Sequence, residues 1–203
     1  MKLAILGASG HGRVAADLAE ITGWTSIVFF DDKFHGQDKN ENWPISGTTK
    51  DLISKYSEYD GIFVAIGNNE VRNEKVNELV EAGAQLISLI HPTAVISRYA
   101  VVGDGTIVMA NSVVNAFTII GAASIINTSS SVDHDCNIGK AVHISPGANL
   151  AGNVTIGDYS WIGIGASVVQ EIKIGKSTII GAGAAVVANI PDSVVALGVP
   201  AKY

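Results

Sequence analysis

The chain is 203 residues long, 47% hydrophobic and only 16% charged, against about 25% charged in an average soluble domain; that balance excludes a largely disordered chain. One cysteine, Cys136, excludes an internal disulfide framework and a zinc centre built mainly from thiolates. The net charge of −6 leaves neither part basic, with 8 Lys/Arg against 13 Asp/Glu in residues 1–89 and 5 against 6 in residues 90–203, so no nucleic-acid partner is expected.

The opening MKLAILGASGHG runs from an apolar stretch into glycines and then Arg13 and Asp17, unlike a signal peptide. No uncharged apolar run of about 18 residues appears in a helical context. These features predict a soluble cytoplasmic protein with no membrane insertion. Lys2–Leu6 reads as a short buried strand. The turn Gly7-Ala8-Ser9-Gly10-His11-Gly12 follows, then a helix over Arg13–Thr22 with Val14, Leu18 and Ile21 on one face. Ser26–Phe30 is a second strand ending at Asp31-Asp32. Asp60–Ile66 is a third, ending at Gly67-Asn68-Asn69. Glu70–Ala82 fits a helix with Val71, Val76, Leu79 and Val80 as apolar points, and Leu86–Leu89 a further strand.

Strands alternating with helices predict a small Rossmann-like parallel sheet over residues 1–89. Ligands of such sheets bind at the strand C-terminal ends. That edge gathers Gly10, His11, Gly12, Asp31, Asp32, Gly67, Asn68 and Asn69, with Arg72 placed to meet a phosphate. The turn is GxxGxG, not the GxGxxG dinucleotide fingerprint, and it lacks the Lys-Ser/Thr of a P-loop. A nicotinamide-dependent reductase is therefore disfavoured.

From residue 90 onward a six-residue period takes over. Ile90, Ile96, Val102, Val108, Val114, Ile120, Ile126, Val132, Ile138, Ile144, Leu150, Ile156, Ile162, Val168, Ile174, Ile180 and Val186 share one register without insertion. Glycine often follows the aliphatic, where it is expected to permit a positive φ at a corner. A small residue usually stands two positions before it. Six is too long for a helical turn and too regular for hairpins. A coil of three short strands satisfies it, each aliphatic pointing inward at a corner and stacking on the residues 18 before and after. Sixteen hexads from Ile96 to Pro191 make about five coils.

One segment carries chemistry, Asn127-Thr128-Ser129-Ser130-Ser131-Val132-Asp133-His134-Asp135-Cys136. His134 stands two positions after an inward aliphatic, on the coil surface, between two acids. Acyl transfer to an amine or hydroxyl needs a base, and neutral histidine suits that role. A neighbouring carboxylate can hold its tautomer; Asp135 is the favoured orienter and Asp133 the lesser one. His143 is placed to touch the acyl donor. No metal is expected, and Cys136 occupies a small inward position as core filler.

The hexad pattern resembles the hexapeptide-repeat acyltransferases, whose parallel β-helix is left-handed. The whole chain looks like the sugar acyltransferases of the sialic-acid and bacillosamine pathways, above all the bacterial N-acetyltransferases of nucleotide-linked 4-amino-4,6-dideoxy sugars. The resemblance rests on GASGHG, Asp31-Asp32, Gly67-Asn68-Asn69, VDHDCNIGKAVHISPGANLAGNVTIG from Val132, and GVPAK near residue 200.

It implies acetyl-CoA as co-substrate and no permanently bound cofactor. His134 would be general base with Asp135 behind it, Asn127 would lie near the sugar amine or its bound water, and His143 would contact acetyl-CoA. Gly152, Ile164 and Ala182 would line the pantetheine track, with Gly152 as an oxyanion donor. Residues 1–89 would hold the nucleotide and residues 90–203 the acyl chemistry, in a homotrimer with sites between subunits. UDP is the expected nucleotide, in bacterial glycan biosynthesis. A GDP-linked amino sugar such as GDP-perosamine, or O-acetylation of sialic acid, remains the alternative. A nucleotide-sugar binding protein with an inactive prism is the non-enzymatic one.

Overall fold

Apolar runs bounded by turn residues set the first element, β1 (Lys2–Leu6), whose residues from Leu3 to Leu6 are buried. In chain order there follow α1 (Gly10–Ile21), β2 (Ser26–Phe30), β3 (Lys39–Asn40), β4 (Trp43–Pro44), α2 (Thr49–Lys55), β5 (Gly61–Val64) and α3 (Asn69–Glu81). The computed structural model describes residues 1–33 and 38–203, and these divide into two compact units, Met1–Leu89 and Ile90–Tyr203.

In the first unit β2, β1 and β5 form a parallel sheet in that order, with Ile5 paired to Phe29 and Phe63. Of the predicted strand at Leu86–Leu89, Leu86 makes one bridge, to Ile62, and Leu89 begins a separate two-residue strand, Leu89–Ile90. Two elements come from a stretch without apolar periodicity. β3 and β4 form a small antiparallel hairpin. α2 is started by a capping box in which Thr48 and Asp51 exchange hydrogen bonds.

The helices bury faces other than those their aliphatics suggest. Val14 and Ile21 of α1 are exposed, and the helix packs through Gly12, Ala15, Ala16, Leu18 and Ala19. Small residues win because helix and sheet approach closely. A Cβ on Gly12 would lie 2.2 Å from the Gly7 carbonyl oxygen and 2.9 Å from the Phe29 ring. On α3, Val71 and Val80 are exposed while Asn69, Arg72, Asn73, Val76 and Leu79 are buried.

The second unit is a left-handed parallel β-helix of three flat sheets. Each coil contributes one two-residue strand per face, and interior strands pair with the residues 18 earlier and later, as Val113 does with Val95 and Ser131; in the last coil the spacing shortens to 16, as between Ile179 and Val195. Val108, Val114, Ile120, Ile126, Val132, Ile138, Ile144, Leu150 and their successors fill the axis and are almost fully buried. The aliphatic is the second residue of each strand, so it lies on a face and not at the corner. Ile90, at the open end of the stack, is 42% exposed because no coil covers it.

The glycines behave differently from expectation. Those that follow the aliphatics, such as Gly121, Gly139 and Gly157, are absent from the left-handed backbone positions. They are small because a Cβ there would meet the next coil's backbone at about 2.4–2.6 Å. The left-handed positions lie two residues further on and carry Asn111, Phe117, Ala123, Asp135, Tyr159 and Glu171.

Candidate active site

We label the prism faces by their strands. The first holds Ile125–Ile126, His143–Ile144 and Trp161–Ile162; the second Val113–Val114, Ser131–Val132 and Asn149–Leu150; the third Ile119–Ile120, Asn137–Ile138 and Thr155–Ile156. The chain visits them in that order. Residues 133–136 therefore turn the corner between second and third faces, and His134 projects there, exposed.

Its Nδ1 lies 2.7 Å from Asp135 Oδ2. Asp135 takes a left-handed φ of 58° and its N–H donates to the Ala116 carbonyl one coil below. His134 N–H donates to Asp133 Oδ1 at 2.8 Å. The Asp135 hydrogen bond raises the His134 pKa above 6.5 against an opposing desolvation effect, and the Asp133 and Asp135 charges add to the rise. The carboxylate fixes the tautomer with Nδ1–H toward Asp135, leaving Nε2 as the acceptor.

One coil above, Gly152 makes room for the ring. A Cβ there would stand 2.5 Å from His134 Cε1 and 2.6 Å from Nε2. Gly152 thus belongs with His134, not with the groove described next. Cys136 is buried, with its thiol donating to the Ala151 carbonyl at 3.3 Å, and burial pushes its pKa up. It serves the core.

His143 occupies the first face. It is nearly buried, stacks on Trp161 with centroids 4.7 Å apart, and receives Asn127 Nδ2 on Nε2 at 3.1 Å. Trp161 is held in turn by its Nε1–H on Ser145 Oγ at 2.7 Å. His143, Ser145, Trp161, Ile164, Ile179 and Ala182 line an open, largely apolar groove of about 420 Å³. Along the adjoining corner Gly147, Gly165 and Gly183 follow one per coil, all with left-handed φ, and a Cβ on any of them would meet nothing within 4 Å.

Within one chain, then, Asn127, His143, Ile164 and Ala182 gather around one corner. His134, Asp135 and Gly152 gather at another, with the second face between them. Trp161 escaped the sequence analysis. The 18-residue register would have found it, since it stands 18 after His143.

In the first unit a second cavity of about 330 Å³ opens at the carboxyl ends of β1, β2 and β5, lined by Ser9, Asp31, Asp32, Gly67, Asn68 and Lys75 among others. Asp31 ties the glycine loop, accepting from the Ala8 N–H at 2.7 Å and the Lys33 N–H at 2.8 Å. Asp32 accepts from the Thr49 N–H at 2.7 Å and pairs with Lys75 at 3.1 Å. Desolvation alone would raise its pKa, but these partners hold it below the usual value. Lys75 had no sequence signal, because a helix lysine looks the same whether it faces a cavity or water.

Five other predicted contacts, Gly10, His11, Gly12, Asn69 and Arg72, stand differently: none lines the cavity, and Asn69 is buried at the start of α3. Gly10 and Gly12 lie in the first turn of α1, where Gly12 is a buried packing residue. Arg72 is 1% exposed and does not face the cavity openly. Its guanidinium donates to the Ile66 and Gly67 carbonyls at 2.8 and 3.1 Å and to Asn69 Oδ1 at 2.8 Å, holding the loop from beneath. Burial lowers its pKa to about 10. His11 is also largely buried, and burial with the Arg72 charge brings its pKa down to about 4. The sequence pattern placed all of these at the sheet edge. It could not separate lining from support.

Among the described residues no group of histidine, cysteine and carboxylates is placed to hold a metal, and no helix is long and apolar enough to cross a membrane.

Residues 2–79 match the family model described as the PglD N-terminal domain. The acetyltransferase domain of PglB from Neisseria gonorrhoeae, solved with acetyl coenzyme A, is 44% identical over 99% of this chain and 98% of that one, with a TM-score of 0.94. PerB from Caulobacter crescentus, solved with CoA and GDP-perosamine, is 37% identical over 100% of this chain and 96% of that one, also with a TM-score of 0.94. The UDP-N-acetylbacillosamine N-acetyltransferase of Bacillus subtilis is 39% identical over 111 residues, 53% of this chain; the match spans about half of that relative, 51% of its length.

Fold, hexad register and relatives together define an acetyl-CoA-dependent acyltransferase. More narrowly, the chain belongs to the hexapeptide-repeat acetyltransferases that act on nucleotide-linked amino sugars.

Proposed function

We propose that this protein transfers the acetyl group of acetyl-CoA to the amino group of a nucleotide-linked amino sugar in glycan biosynthesis. Its acceptor is a GDP-linked 4-amino-4,6-dideoxy sugar ahead of the UDP-linked one that the sequence suggested. The relative solved with GDP-perosamine aligns over the whole chain, whereas the relative named for UDP aligns over about half.

The observation that carries the chemistry is the His134–Asp135 pair, 2.7 Å apart on an exposed corner with Nε2 beside Gly152. His134 accepts the proton of the attacking amine as the nitrogen–carbonyl bond forms. Asp135 steadies the imidazolium. The carbon–sulfur bond then breaks and CoA leaves as its thiol, taking up the proton. The Gly152 N–H is our candidate for polarising the acyl carbonyl. A direct transfer needs no covalent intermediate on Cys136.

The groove at His143 and Trp161 takes the pantetheine of the donor. Because that groove and His134 occupy different corners of one prism, we assign the complete site to neighbouring copies in a homotrimer. The cavity at Asp31, Asp32, Gly67 and Asn68 takes the nucleotide, whose remote binding energy orients the small reacting sugar. A cytoplasmic setting, where both substrates are made, fits this assignment.

The test is CoA release with acetyl-CoA and a panel of GDP- and UDP-linked 4-amino sugars and free sialic acid. Turnover is expected with the GDP-linked amine. Preference for the UDP-linked amine would return the nucleotide assignment to UDP, and turnover on the hydroxyl acceptor alone would sink N-transfer. His134→Ala is expected to lose about 10²–10⁴-fold in kcat with the fold retained.

A further inference from the structure

Asp133 was the lesser of the two acids flanking His134, yet it is the more firmly placed. Its Oδ1 accepts two hydrogen bonds, from the His134 N–H and from Asn115 Nδ2, both at 2.8 Å. Asn115 stands 18 residues earlier, one coil below, in the same corner column. Its own N–H already donates to the Val132 carbonyl in the coil ladder, so the side chain is not needed for stacking.

The same column holds Ser97 below and Ala151 and Val169 above. Ser97 turns its hydroxyl to its own Tyr99 N–H, and the other two have no polar side chain. A cross-coil side-chain bond in this column therefore occurs at the level of His134. We propose that Asn115 and Asp133 form a clamp that positions His134 for proton transfer, Asn115 fixing Asp133 and Asp133 fixing the histidine backbone. This rests on the general-base role given to His134 above.

The physical need is clear. His134 is on an exposed turn, where ring orientation depends on backbone as well as side-chain torsions. Asp135 holds the ring at Nδ1; the clamp holds the main chain behind it. Between them they restrict both freedoms, and misplacement of a base by an ångström is costly.

Asp133 also adds a negative charge near the imidazole. The groups facing His134 from the coil below are Asn115, Ala116 and Phe117, and from the coil above Ala151, Gly152 and Asn153, none of them ionisable. The nearest further charges in the corner are Arg98 and Glu171, two coils away in either direction. Asp133 and Asp135 thus dominate the local field.

The experiment pairs turnover with an NMR titration of the His134 ring, its signal assigned by loss in His134→Gln. Asn115→Ala should lower kcat on the order of tenfold, leave the KM for acetyl-CoA unchanged, and leave the melting temperature unaltered. Asp133→Asn keeps an acceptor oxygen but removes the charge. It should move both the His134 titration and the acidic limb of kcat/KM to lower pH, because the imidazolium loses a partner.

Wild-type kcat in Asn115→Ala, or an unmoved His134 titration in Asp133→Asn, overturns the clamp. If the titration moves and the acidic limb stays, Asp133 does hold His134 but His134 is not the base, and the general-base role falls while the contact stands.

Discussion

The two units hold their functional side chains by different physics. In Ile90–Tyr203 position follows from register. Strands recur every six residues, coils every 18, and a residue's neighbours are fixed by arithmetic: Asn115 lies under Asp133, Trp161 stacks on His143. In Met1–Leu89 position follows from single, unrepeated contacts. Arg72 under the Gly67 loop, Asp31 on the Ala8 N–H and Asp32 between Thr49 and Lys75 each solve a local problem once. A repeat spreads stability over many equal bonds, so one side chain can be spent on chemistry at small structural cost. A small unrepeated sheet has few spare contacts, and its cavity depends on buried polar groups.

That contrast can be broken most directly at Arg72. Arg72→Ala leaves the Ile66 and Gly67 carbonyls and Asn69 without these bonds, and should destabilise the first unit by about 3 kcal/mol or more. The measurement is denaturant unfolding followed by tryptophan fluorescence in a Trp161→Phe background, where Trp24 and Trp43 report on the first unit. A loss below about 0.5 kcal/mol would show that the loop does not depend on it.

His11 offers a pH test of the same unit. Its pKa falls from 6.5 to about 4 on folding, chiefly through burial and next through Arg72. The folded state favours the neutral ring. Its contribution is complete above the unfolded pKa of 6.5, declines as pH drops through that value, and levels off near 4. The span corresponds to about 3 kcal/mol. His11→Gln should flatten the stability of the first unit between pH 6.5 and 4, and an unchanged slope would disprove the assignment.

In the prism the expected effects fall on function. Gly152→Ala puts a methyl where the His134 ring stands. The ring can swing into solvent, so the melting temperature should hardly change while kcat drops roughly 10²-fold. A large stability loss with normal turnover of the folded fraction would reverse that picture.

Gly165→Ala is the mildest change. Its left-handed φ of 65° is shared by Phe117, Asp135 and Glu171 in equivalent positions at another corner, so the conformation by itself does not demand glycine. The added methyl would meet open space and obstruct only a ligand or neighbour lying along the corner. The KM for acetyl-CoA should rise on the order of tenfold, with stability changed by about 1 kcal/mol or less. An unaltered KM would remove the glycine column from the donor track.

Much of this molecule was legible because repetition is a property of sequence. Seventeen aliphatics in one register predict coils and an apolar axis before any coordinates exist, and His134-Asp135 can be placed on the coil surface from its offset alone; that the aliphatics lie on faces and His134 at a corner came from the strand positions. The role of the glycines was misjudged for a physical reason. A sequence shows that a position is small, but only the stacked coils show whether a turn or a neighbouring backbone demands it.

In the first unit the alternation of strands and helices was enough to place a cavity at the strand ends, since parallel sheets expose their carboxyl edges. Which residues of that edge face the cavity was decided by tertiary packing. Gly12 turned out to be a packing glycine, Arg72 a buried strut and Lys75 a cavity-lining cation. Periodicity encodes the direction of a side chain only where the backbone repeats. Where it does not, direction is settled by burial and by the partners that the fold brings from distant parts of the chain.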